Sequence, residues 1–69
     1  MAELAPTDPR HHTQKMKARL HETIEHLRKD IEEVDEPQFR AMFETAAEVL
    51  GGLEKAFTHY EQRSETAWQ

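Results

Sequence analysis

The stretch Phe39–Tyr60, FRAMFETAAEVLGGLEKAFTHY, decides the fold. Its apolar residues recur at three- and four-residue intervals, the spacing of one helix face, and strand alternation is absent. In heptad terms they form three rows. Phe39, Ala46, Leu53 and Tyr60 take the first, Met42, Val49 and Ala56 the second, and Phe43, Leu50 and Phe57 the third. Three rows make a stripe too wide for a single partner helix.

Upstream, Met16, Leu20, Ile24, Leu27, Ile31 and Val34 follow the same helical spacing in a narrower seam. Asp8 can cap this helix, and Pro9 at its first position gives up an amide proton that would be unpaired anyway. Residues 9–34 are therefore expected as helix one, preceded by a flexible arm over residues 1–8. Asp35-Glu36-Pro37 opens helix two, expected over residues 37–66, because proline disfavours the α conformation of the residue before it and acids suit a positive helix end. Near the end, Trp68 follows the apolar phase loosely. It reads as an anchor for the tail, or alternatively as a docking residue.

So short a turn makes the two helices antiparallel, and the narrow seam of helix one covers only part of the broad helix-two face. The expected fold is an all-α antiparallel helical hairpin that assembles into a four-helix bundle from two chains. Phe43, Leu50, Leu53, Phe57 and Tyr60 are its expected interface residues. Chain length argues the same way: 69 residues give a core worth only about 3–5 kcal/mol, and without cysteine no disulfide can reinforce it. Oligomerisation is the remaining reinforcement, with a homodimer expected. Gly51-Gly52 interrupts the composition but not the apolar phase, so a continuous helix with glycine allowing close backbone approach is preferred to a break.

The net charge is −5, which argues against a general nucleic-acid binder. Along the chain the charge is uneven. Residues 10–29 carry +4, and residues 30–69 carry −7. An antiparallel hairpin brings the acidic end of helix two (Glu54, Glu61, Glu65) beside the basic start of helix one. His11, His12, Lys15, Lys17 and Arg19 are a candidate anion contact at a positive helix end, but no aromatic residue is interleaved with them to stack bases. No apolar run approaches the length of a membrane span, and the first nine residues lack the pattern of a signal peptide, so the expected address is cytoplasmic.

For chemistry the sequence offers little. His21 and His26 are five apart, about 140° around the helix, so HETIEH lacks the facing histidine pair of a zinc protease. There is no Glu-x-x-His of the diiron-bundle kind, and Glu22, Glu25, Glu44, Glu48, Glu54 and Glu61 all fall outside the expected seams. Nucleophilic catalysis lacks a cysteine, and Ser64 is the only serine. The expected function is therefore a non-enzymatic interaction protein without cofactor, self-associating and presenting charged faces to a protein partner of unidentified kind. One alternative is a metal-handling bundle using Glu22, His26 and His59 at an intersubunit surface. The other is an anion or nucleic-acid accessory acting through the basic half of helix one.

Overall fold

The computed structural model describes residues 5–66, with side chains through Arg63; Met1–Leu4 of the arm, and Trp68, lie outside the described residues. Two helices, α1 (Pro9–Glu33) and α2 (Pro37–Thr66), pack side by side as a hairpin. Local chemistry sets their ends. The Asp8 carboxylate accepts the Arg10 amide at 2.9 Å with Pro9 opening the helix, and its pKa lies below the ordinary value because the Arg10 side chain also donates to it. α1 stops at Val34, whose extended backbone still donates its amide to the Asp30 carbonyl at 3.1 Å. Glu36 starts α2. Its carboxylate accepts the Phe39 amide, its carbonyl accepts the Arg40 amide at 3.0 Å, and Pro37 again fills the first turn.

The antiparallel register is pinned by polar contacts between the helices. Thr13 and Lys17 meet Glu61, and His21 Nδ1 lies 3.6 Å from Glu54. Residue 25 of α1 is thereby level with residue 51 of α2. Among the described residues only Ile24 and Ala47 are buried, at 7 % and 3 % exposure. Around them Leu20, Leu27, Ile31, Phe43, Leu50 and Phe57 are half-buried, and Phe39 stacks on Phe43 at 4.0 Å between ring centres. Two helices make a single layer, and each can be covered on one side only.

α2 runs through Gly51-Gly52 without a break, and neither glycine has a positive φ. Close approach within the hairpin is not the reason for them, since a Cβ on either would meet nothing within 4 Å. Gly51→Ala is therefore expected to stabilise the hairpin by about 0.5–1 kcal/mol through helix propensity and a less flexible unfolded chain. Urea unfolding followed by circular dichroism measures this; a loss of stability would mean that another surface occupies the space beside residue 51.

Two acids depart from expectation. Glu54 and Glu61 lie on the packed face rather than outside it, with side chains 26 % and 14 % exposed. The physical reason is a rotation of α2. At about 100° per residue its apolar stripe centres near Ala46 and Leu53, whereas the arc turned to α1 centres near Phe43 and Glu54, roughly 70° further round. Pairing with Thr13, Lys17 and His21 turns the acids inward and leaves part of the stripe outside.

Candidate functional site

That rotation creates the main surface feature of the molecule. Among the described residues six large apolar side chains remain exposed: Met16, Val34, Met42, Val49, Leu53 and Tyr60, at 38–60 %. They share one side of the hairpin. Met16 lies on one edge of α1 and Val34 caps that helix eighteen residues on; Met42 and Tyr60 are five turns apart on α2, with Val49 and Leu53 between them in height and about 20° to either side of their line. A shallow groove of about 240 Å³ joins the two helices here, lined by Met16, Arg19, Leu20, Thr23, Leu53 and Phe57.

The opposite side is polar. A groove of about 330 Å³ is lined by Arg28, Ile31, Glu32, Glu44, Ala47 and Glu48. Nearby, His21 sits between Glu25 at 3.4 Å and Glu54 at 3.6 Å. The two faces of this one-layer molecule thus differ in character, one apolar with a polar rim and the other acid-rich.

The five expected interface residues are divided by the structure. Phe43, Leu50 and Phe57 are half-buried against α1, whereas Leu53 and Tyr60 stand on the exposed apolar face. Met42 and Val49 are more exposed than either, at 60 % and 58 %, and belong to the second heptad row. The row that faces α1 is the one beside Glu54 and Glu61, which meet Thr13, Lys17 and His21 across the hairpin.

At the open end, Glu61 accepts hydrogen bonds from the Thr13 hydroxyl and from Lys17 Nζ, the latter at 2.9 Å. Its pKa is lowered, first by the Thr13 hydrogen bond and then, against the opposing effect of burial, by Lys17. A lowered carboxylate pKa stabilises the fold at neutral pH, and that stabilisation is lost as pH falls below the ordinary value of 4.5, where the unfolded chain takes up the proton first. Glu61→Gln is expected to cost about 1–2 kcal/mol at pH 7. Urea melts of both proteins should converge as pH is lowered through 4; a constant difference would mean that Glu61 acts by shape rather than charge.

The metal and anion candidates are dispersed. Glu22 and His26 lie beside Glu25 and Lys29 on the outer surface of α1, while exposed His59 lies on the side of α2 turned away from α1. Among the described residues no group of three His, Cys, Asp or Glu is placed to hold a metal ion. Of the basic cluster, Lys17 is engaged by Glu61, His12 Nε2 lies 2.8 Å from the Pro6 carbonyl, and His11 packs edge-on against His12. Lys15 and Arg19 extend from the other side of α1 to Lys17, so the five do not converge on one point. No protein-family model, curated protein or solved structure matches the chain.

Proposed function

We propose that this chain is a non-enzymatic interaction protein that self-associates through its apolar face, as a homodimer, and offers its acid-rich opposite face to a protein partner. The observation that carries this reading is the one-sided exposure, among the described residues, of six large apolar side chains on a hairpin with only two buried ones. A compact monomer of this mass exposes about 4,500 Å² by the scaling of area with mass, whereas this chain exposes 5668 Å². The excess, about 1,200 Å², is comparable in size to the share that each subunit of an obligate homodimer contributes to its interface. Burying it would supply the stability that a core of two residues lacks.

A four-helix bundle of two hairpins satisfies these demands, and the groove flanked by Glu32, Glu44 and Glu48 would then remain outside to receive a basic segment of a partner. The cytoplasmic address belongs to the same proposal. No helix among the described residues is long and apolar enough to cross a membrane.

Sedimentation equilibrium at micromolar concentration tests the reading. A particle of about 16 kDa, twice the 8.1 kDa chain, is expected. An 8 kDa particle with undiminished helicity would overturn it.

A further inference from the structure

We infer that the second copy lies antiparallel across the apolar face, α2 on α2 and α1 on α1, about a two-fold axis that passes level with Gly51 of α2 and Glu25 of α1. This rests on the self-association proposed above and specifies its geometry. The positions of the exposed side chains carry it. In an antiparallel two-fold pair, a residue some distance before the axis meets one the same distance after it. On α2, Val49 and Leu53 lie two residues either side of residue 51, and Met42 and Tyr60 nine either side. Met16 of α1 and Val34, the residue that caps it, lie nine either side of residue 25.

These two centres need not have coincided, since they belong to different helices. The contacts of Thr13 and Lys17 with Glu61, and of His21 with Glu54, place residues 25 and 51 at the same height. One axis therefore satisfies all three apolar pairs at once. Side-chain size follows the same centre. Ala46 and Ala56, five residues either side of residue 51, keep the middle thin, and Met42 and Tyr60 thicken the ends, as helices crossing at about 20° require when they diverge from their closest point.

Charge agrees with shape. Arg19 lines the apolar groove, and Asp30, eleven residues on, lies about 20° from it on the same edge of α1. Neither side chain has an ion-pair partner among the described residues. Their midpoint is within one residue of residue 25, so the same axis sets Arg19 opposite the second copy's Asp30, twice per dimer. The rim of the face is thus basic toward the open end of the hairpin and acidic toward its turn. Only an antiparallel second copy matches that polarity to itself.

Charge reversal with sedimentation equilibrium tests the geometry. Arg19→Glu and Asp30→Arg are each expected to weaken dimerisation about tenfold, and the double variant to restore it, because each reversal acts at both symmetry-related contacts. Both sites are on the surface edge of α1, and circular dichroism checks that helicity is kept. As the chain has no cysteine, single-cysteine variants give a second readout independent of charge. A bis-maleimide spanning about 10 Å should join Leu53→Cys chains near the axis. Tyr60→Cys should resist joining, because its equivalents lie about 27 Å apart along the bundle at 1.5 Å per residue. A dimer that ignores the reversals and cross-links equally at both positions would overturn the two-fold geometry and leave self-association standing. A monomeric wild-type chain would overturn both.

Discussion

Replacing Ile24 with alanine is expected to remove about 2–5 kcal/mol of stability, the range for deleting a buried branched side chain. Ile24 is one of only two buried residues among those described, 7 % exposed, and it sits on the face of α1 that packs on α2. In a large domain such a loss is tolerable. Here it is comparable with the whole stability of about 3–5 kcal/mol that a single core of this size supplies. The variant should therefore lose most of its helical signal at 37 °C and recover part of it as concentration rises, if association offsets the loss by mass action. Ile24→Val, which deletes one methyl group, provides the graded control at about 0.5–1.5 kcal/mol. Thermal melts by circular dichroism measure both, and an unchanged melting temperature in Ile24→Ala would remove Ile24 from the packing centre.

The second large effect is on association. Leu53→Glu is expected to abolish the dimer while leaving the single hairpin intact, because Leu53 is 46 % exposed and spends much of its apolar surface outside the α1–α2 contact. In a two-fold dimer the substitution occurs twice. Each copy loses the burial of a leucine and places a carboxylate where an apolar neighbour is expected, a combined cost of about 3–6 kcal/mol and more than a hundredfold in affinity. Sedimentation equilibrium reads the affinity, and helicity at high protein concentration reads the hairpin. A variant still dimeric at low micromolar concentration would show that Leu53 stands outside the interface. The contrast with Phe57 is informative. Phe57 belongs to the row packed on α1, so Phe57→Ala should lower hairpin stability and association together.

The sequence by itself determined the two helices, their caps and their antiparallel pairing. Apolar spacing is a local property that one chain segment carries alone, and Asp8-Pro9 and Glu36-Pro37 act on amides within their own first turns. The sequence also determined that α2 is too broadly apolar for α1 to cover, since the three rows can be counted without knowing where α1 lies. Only the tertiary structure decided which rows are left outside. Periodicity alone leaves either the Phe43–Leu50–Phe57 row or the Met42–Val49–Ala56 row able to face α1. The choice falls to contacts between residues about thirty-three to forty-eight positions apart, Thr13 and Lys17 with Glu61 and His21 with Glu54, which rotate α2 until its acids face the bases of α1. The Glu61 carboxylate is held there by two donors between the helices, and the Phe43–Leu50–Phe57 row beside it carries the larger apolar side chains. That rotation turns Met42 and Val49 outward and draws Phe43 and Leu50 in.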